Sequence, residues 1–374
     1  MKMRQARPRR ERGVAVVTAL LLTTLAISIV ASLFWQQQVE VRSMENQRLN
    51  LQTRWILRGA LDYATLILDS RRYDNGGMQF TSQDQVWATP LAETRLDQYI
   101  ERERVEGENF NATLSGNVTD ACSRYNLRNL AVDYRNVDLD QVEVFSRLLS
   151  NLQLDPALAK RIAGFVALSV PAQTVPTAAP GTGGNSNPGG GGAANGGGGA
   201  EGGGGGAGAG AGGNANPAAN ANNSSIVASS GVVGTPMKLL QVDDLLAVPG
   251  ITPVIVERLR PFVIALPVRT PVNVNTAPAE VLAAVANTSI SAANTMIVRR
   301  KQAAWRDYTN FTTELSSQTH GPMAPDSGAV KSEYFLVGSR IRLDRAALDT
   351  EALVYSPLTL VAGGGTQVMW VRQD

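Results

Sequence analysis

The stretch from Arg12 to Trp35, RGVAVVTALLLTTLAISIVASLFW, decides how the rest of the chain is read. The residues up to Gly13 carry six Lys or Arg side chains (Lys2, Arg4, Arg7, Arg9, Arg10 and Arg12) against one acid, Glu11. From Val14 to Val39 there is no charged side chain at all. About 20 apolar residues suffice to cross a bilayer as a helix, and Val14–Trp35 meets that length. A basic flank holds its end in the cytoplasm, so the bulk of the chain is expected on the far side of the inner membrane. A cleaved secretory signal is the first reading, but it needs an apolar core of about 7–15 residues and a small-residue site beyond it. Ala31-Ser32 offers such a site weakly, the run is too long, and bulky Phe34 and Trp35 follow. An ordinary uncleaved anchor is the second reading.

Composition narrows the function classes. At 374 residues the chain has room for two domains besides an anchor and a linker. The net charge of +2 falls to −3 once the leader's +5 is set aside, so no basic surface for nucleic acid is expected. Cys122 is the only cysteine, which rules out an intramolecular disulfide and suggests a buried free thiol. His320 is the only histidine, beside Gly321-Pro322 in a polar loop. A multi-His metal site is therefore excluded, and histidine-based catalysis is not expected. No nucleophile–base pair or paired-carboxylate constellation supports an anchored hydrolase.

Helical patterning continues from the apolar run to Ser70, with no proline after Val14 and Gly59 as the only glycine. Leu49, Trp55, Ile56, Ala60, Tyr63, Ala64, Ile67 and Leu68 recur at helical spacing, while Arg42, Glu45, Arg48, Arg54, Arg58 and Asp62 take the other side. Such a helix is about 84 Å long at about 1.5 Å per residue, and its second half needs a domain packed along one side. Asp74-Asn75-Gly76-Gly77 ends it.

Strands are expected at residues 110–119, 333–343, 352–355 and 367–372, with Gly363-Gly364-Gly365 as the turn between the last two. Most of the chain between the first strand and the others reads as helix. Asp138–Leu168 holds two helical stretches, the second opened by Asp155-Pro156. Leu239–Val248 reads as helical, another helix starts at Thr252-Pro253, and one running to Ala286 is expected to be capped by Asn275 or Thr276. A fourth holds Ala292, Ala293, Met296, Ile297 and Val298 before Arg299-Arg300-Lys301. Between Gly181 and Gly213 there are 20 glycines in 33 residues, and Glu201 is the only charge from Pro171 to Ser230. That tract cannot bury enough apolar surface to offset backbone ordering and is read as a flexible loop.

The helix–Pro249-Gly250–helix segment, residues 239–260, resembles a helix-hairpin-helix nucleic-acid module in outline. It lacks a second glycine in the hairpin, and Asp243, Asp244 and Glu257 stand near it. Packing of short helices is the favoured reading, and a membrane-anchored DNA-uptake protein is the alternative.

The junction Arg12-Gly13-Val14-Ala15 resembles the prepilin-type leader of type IV pilins and type II secretion pseudopilins. Further segments make the resemblance specific: DACSRYNLRNL (Asp120–Leu130), LLAVPGITPVIVERLRP (Leu245–Pro261), VNVNTAP (Val272–Pro278), and Ser332–Phe335 before the final strands. Together they are similar to the minor pseudopilin K family of type II secretion systems (general secretion pathway protein K). The resemblance implies an α+β fold: a pilin-like long N-terminal helix packed on a small antiparallel sheet, with a large all-α insertion domain. On that basis residues 1–13 are the leader and 14–35 the transmembrane half of the helix. Residues 36–126 plus 327–374 form the discontinuous pilin-like domain, and 127–326 the insertion, with a disordered Gly-rich loop at about 176–225.

The same resemblance implies cleavage between Gly13 and Val14, which becomes a new, methylated N-terminus. Family members mostly carry Glu five residues after the cut, to meet the N-terminal ammonium of a neighbour; here that position is Thr18, which can bond a carbonyl of its own helix. A buried carboxylate is costly without a partner, so its loss marks a subunit with no neighbour above it. The implied role is non-enzymatic: nucleating or capping the pseudopilus at its tip, in support of export of folded proteins across the outer membrane. Implied partners are the other minor pseudopilins, the prepilin peptidase and the inner-membrane secretion platform. No nucleic acid is expected. Calcium binding is implied by the family alone; Asp120, Asp133, Asp138 and Asp140 supply oxygens without EF-hand-like spacing, and no ligand is assigned. Asn126 and Asn129 are expected to bond local backbone.

Overall fold

The computed structural model describes residues 12–74, 80–96, 111–171, 225–228, 230–231, 236–315, 321–358 and 365–373. The leader up to Glu11, His320, Phe110, Gly363-Gly364 and nearly all of the expected Gly-rich loop lie outside them. In chain order the elements are α1 (Arg12–Asp74), β1 (Leu91–Arg95), β2 (Ala112–Asp120), β3 (Tyr125–Asn126), β4 (Ala131–Asp133), β5 (Asn136–Val137), α2 (Leu139–Asn151) and α3 (Leu158–Ser169). They continue with α4 (Pro253–Leu259), β6 (Val263–Ile264), β7 (Val272–Asn273), α5 (Ala279–Val285), α6 (Ile290–Gln302), α7 (Tyr308–Leu315), β8 (Gly328–Ala329), β9 (Tyr334–Leu343), β10 (Ala346–Tyr355) and β11 (Gln367–Gln373). The chain divides into two compact units: residues 1–77, 84–119 and 333–374 form one, and residues 78–83 and 120–332 the other.

The first unit is a long helix on a five-stranded sheet ordered β1-β2-β9-β10-β11, in which β1–β2, β9–β10 and β10–β11 pair antiparallel. Leu57, Ala60, Leu61, Ala64 and Leu68 of α1 are buried with Leu114, Phe335, Val337, Ile341, Ala352 and Val354 of the sheet. Each buried Leu or Phe contributes about 1.5–3 kcal/mol, which is what holds this half of the helix to the strands. Phe335 anchors the centre: Trp87 meets it edge-on at 5.1 Å, and the Arg71 guanidinium lies 4.1 Å from its ring centroid. Arg71 Nη2 also donates to the carbonyl and hydroxyl of Ser356, both at 3.1 Å, so its buried charge is solvated by protein dipoles. Where β2 lies against β9, a Cβ on Gly116 would stand 2.8 Å from the Gly338 carbonyl, so only glycine allows that approach.

Three expectations change here. The inward face of α1 is largely the one the periodicity named, with Ala60, Ala64 and Leu68 buried and Ile56 and Ile67 packed beside them, but its membership changes. Leu57 and Leu61 are buried, whereas Trp55 and Tyr63 point outward. The helix is apolar on two opposite sides, and Trp55 and Tyr63, read with the first, belong to the second. The strand expected at 352–355 is the end of a ten-residue strand, paired with β9 from Ala346↔Leu343 onward. Asp344, at φ 50°, makes the tight turn; Asp tolerates left-handed backbone without announcing a turn as Asn-Gly would. Strand β1 was not expected at all.

The second unit is mainly helical around one core. Phe145, Leu148 and Leu149 of α2 meet Ile162 and Val166 of α3 and the apolar run Val281–Ala286. Asp138 caps α2 by accepting from Gln141 N at 3.1 Å, and Ser289 caps α6 by accepting from Ala292 N at 3.1 Å. The segment 239–248 is a short 3-10 helix, Val242–Ala247, rather than an α-helix: the Asp244 carboxylate accepts from Leu240 N and Gln241 N, and Pro249 closes the run. Helix α5 begins after Pro278 with no side-chain cap, because Asn275 and Thr276 are bonded elsewhere.

Candidate functional site: an exposed apolar helix and a buried polar hub

Two features concentrate the chemistry. The first is the N-terminal half of α1, long and apolar enough to cross a membrane, with none of its apolar window buried. Arg12, Gly13 and Val14 open this helix. Thr18 donates its hydroxyl to the Ala15 carbonyl at 3.0 Å, and Thr23, Thr24 and Ser28 likewise bond carbonyls one turn back. Each hydroxyl is thus satisfied inside its own helix, as an apolar surrounding requires.

The second feature was missed by the sequence reading. Asp120 is buried, and four donors converge on its carboxylate. Cys122 N donates to Oδ1 at 2.8 Å; Asn273 Nδ2, Thr276 Oγ1 and Ser332 Oγ reach Oδ2 at 2.9, 2.5 and 2.6 Å. Burial outweighs these donors and raises the Asp120 pKa above the usual carboxylate value. Asn273 Nδ2 also reaches Ser332 Oγ at 2.8 Å and the Thr81 carbonyl at 3.1 Å. Thr81 Oγ1 in turn accepts from Ser332 N at 3.1 Å. Asp120 and Ser332 are the first and last residues of the long segment of this unit, and Thr81 belongs to its short one. The hub therefore fastens together every piece of chain that makes up the unit.

The neighbouring asparagines extend the fastening. Asn275 exchanges two bonds with the Trp305 backbone, both at 2.9 Å, and Arg300 donates to the Val274 carbonyl at 2.7 Å. Burial lowers the Arg300 pKa to about 10, which leaves it charged at neutral pH. Asn126 Oδ1 accepts from Arg128 N, the local bond expected of it, but its amide donates to Val268 O and Thr270 Oγ1 at 2.7 and 2.9 Å. Asn129 exchanges two bonds with the Thr270 backbone. These bonds span some 140 residues of sequence, so the local-turn expectation is corrected: buried amides must be paired, and the nearest free backbone is the extended segment before β7. The signal for this lay in Val-Asn-Val-Asn, whose apolar and polar members are all buried.

The carboxylates considered for calcium do not form a cage. Asp120 is saturated by donors, while Asp138 caps α2 and pairs with Arg269. Among the described residues no three His, Cys, Asp or Glu side chains converge for a metal. The hairpin at Gly250 is similarly committed to the fold. Arg260 pairs with Asp243 at 2.7 Å and Glu257 at 2.9 Å, and Arg258 bonds Gln153, so these cations serve internal contacts. Cys122 is buried, as expected of it.

A family model described as type II secretion system protein K matches residues 272–331, the segment that runs from β7 to the edge of the Asp120 hub. The type II secretion system protein K of Pseudomonas aeruginosa is 29% identical over 369 residues, covering 96% of this chain and 92% of that relative. Among solved structures, the crystal structure of the GspK-GspI-GspJ complex from the enterotoxigenic Escherichia coli type 2 secretion system contains a chain with the same fold. It aligns with a TM-score of 0.54 at 16% identity, over 88% of this chain and 99% of that one. Family model, relative and fold agree, and the family that this chain resembles, from the N-terminal helix to the last strand, is type II secretion system protein K.

Proposed function

We propose that the chain is a non-enzymatic minor pseudopilin that assembles with the other minor pseudopilins at the tip of a type II secretion pseudopilus. It is anchored once in the inner membrane, with its N-terminus cytoplasmic and its bulk periplasmic. The prepilin peptidase cuts between Gly13 and Val14, and the secretion platform then draws the subunit into a fibre that supports export of folded proteins. The observation that carries this reading is the long helix: an unburied apolar half continuous with a half packed on a small sheet, in a chain similar to protein K over nearly its whole length. The solved relative was crystallised in a complex with GspI and GspJ, which supports minor pseudopilins as partners of this chain too.

Thr18 gives the tip position its physical sense. Its hydroxyl is satisfied by Ala15 O, so the helix needs no ammonium from a neighbour to neutralise a carboxylate. The test is a tag on the periplasmic part of the full chain, visualised on pseudopili. Label confined to fibre ends supports the proposal, and label along the shaft contradicts it. Thr18→Glu should leave processing intact and move label into the shaft.

A further inference from the structure

The second unit holds a cavity of about 200 Å³ at the C-terminal end of α3, where the chain re-enters ahead of the 3-10 segment. Val166, Val170, Leu239 and Leu266 give it apolar walls, and Arg128 and Lys238 stand at it as cations. Among the described residues no carboxylate lines it. The Ser169 hydroxyl, also in the lining, donates to the Val166 carbonyl at 2.8 Å. Two positive charges against apolar walls, with no acid between them, leave a place for an anion.

The site is built in advance. Arg128 lies in the short 3-10 turn Leu127–Leu130, and its guanidinium is tethered by the Ala131 carbonyl and, at 3.4 Å, by the Val132 carbonyl. A guanidinium has five N–H groups, so others are left to donate. Burial, and then the neighbouring Arg269, pull the Arg128 pKa below its ordinary value, so an incoming negative charge is favoured there. Lys238 is exposed and makes no ion pair or hydrogen bond among the described residues. Buried Asn126 fixes two of the walls at once. Its Oδ1 accepts from Arg128 N at 3.0 Å and from Leu266 N at 3.2 Å, while its amide holds the Val268 carbonyl at 2.7 Å. Walls set by one buried side chain need little reordering when a ligand enters.

We propose that this cavity captures the C-terminal end of an extended peptide, its carboxylate on Arg128 and Lys238 and an apolar last side chain against the four apolar walls. Volume excludes a cofactor, whose pockets run to about 300–1,000 Å³. Charge and walls together select the ligand. A guanidinium takes a carboxylate through two parallel N–H bonds. A phosphate would answer the cations and leave the apolar walls unused. An internal Asp or Glu brings a carboxylate without an apolar group beside it, whereas the last residue of a chain carries both on one carbon. A free amino acid adds an ammonium that two cations repel. The chain's own end, Val371-Arg372-Gln373-Asp374, offers a cation and an acidic last side chain instead, so the peptide belongs to another protein.

The full-length chain in detergent is titrated into short Gly/Ser peptides ending in leucine or valine, rhodamine-labelled at the N-terminus, and fluorescence polarisation is read. The free-acid peptides should bind at least tenfold more tightly than their C-terminal amides, and than an amidated peptide with an internal Glu. Lys238→Glu should weaken binding at least tenfold at an unchanged melting temperature, because Lys238 has no partner to lose. Arg128→Gln should weaken it as much, and Lys238→Glu carries the test if that variant fails to fold. Lys301→Glu, at an exposed position of α6, should bind as the wild type does. Equal binding of free acid and amide overturns the proposal, as does unchanged binding by Lys238→Glu. Preference for the internal Glu peptide, or no binding of either free-acid peptide at millimolar concentration, overturns it too.

Discussion

Asp120 is the residue on which the second unit turns. Its carboxylate ties the start of the long segment to Asn273 of β7, to Thr276 in the loop after it and to Ser332 at the segment's end. Asp120→Ala strips the acceptor from three buried side-chain donors; at about 1–3 kcal/mol for an unsatisfied group, a loss of about 3 kcal/mol or more is expected by denaturant titration. The pH response has a definite sign. A carboxyl whose folded pKa is raised binds its proton more tightly in the fold, so its protonation adds stability as pH falls through that raised value toward 3.8. Compared with Asp120→Asn, which has no proton to gain, the wild-type chain should therefore gain relative stability between pH 7 and pH 4. A relative loss on acidification would contradict this. Little of the hub was legible in sequence. Asn275 and Thr276 stand where a helix cap should stand, and Asp120 looks like any surface acid; only the partners 150 to 210 residues away reveal their use.

At the scale of elements, α1 was legible in extent and largely in orientation. Freedom from proline and a charge-free run fix its start and length, and Ala60, Ala64 and Leu68 were read on the buried side, but a second apolar face drew Trp55 and Tyr63 in with them. The structure assigns burial to Leu61 and Leu68 and exposure to Trp55. Leu68→Ala should cost about 2–5 kcal/mol, the range for a truncated core leucine. Trp55→Ala should change the stability of the isolated chain by no more than about 0.5 kcal/mol. Equal losses at the two positions, measured by thermal unfolding, would reverse the assignment. The sheet tells the same story. Strands β2 and β9 alternate well enough to be read from sequence, whereas β1, with only five residues and mostly exposed, offers no burial pattern to read. Helices α2 and α6 were legible because caps, apolar spacing and a cationic end agree; the 3-10 segment 242–247 was not, since two adjacent acids and a following Pro-Gly outweigh its apolar residues.

For the whole molecule, the informative relation is between an unburied membrane-length helix and a buried polar hub that holds the second unit together. The Asp120 hub and the paired asparagines hold the fold from within, the exposed Arg260 pairs brace it at the surface, and the apolar half of α1 stays uncovered. Whether it is a pseudopilin subunit, a cleaved secretory protein or a plain anchored one is decided at its N-terminus, because the three fates leave three different first residues. The direct measurement is the intact mass of the full chain purified from membranes after co-expression with a prepilin peptidase. The account predicts a chain that begins at Val14, retains the apolar helix and carries the added mass of one methyl group. A chain beginning at Met1, or one cut after Ala31 and released from the membrane, would contradict it.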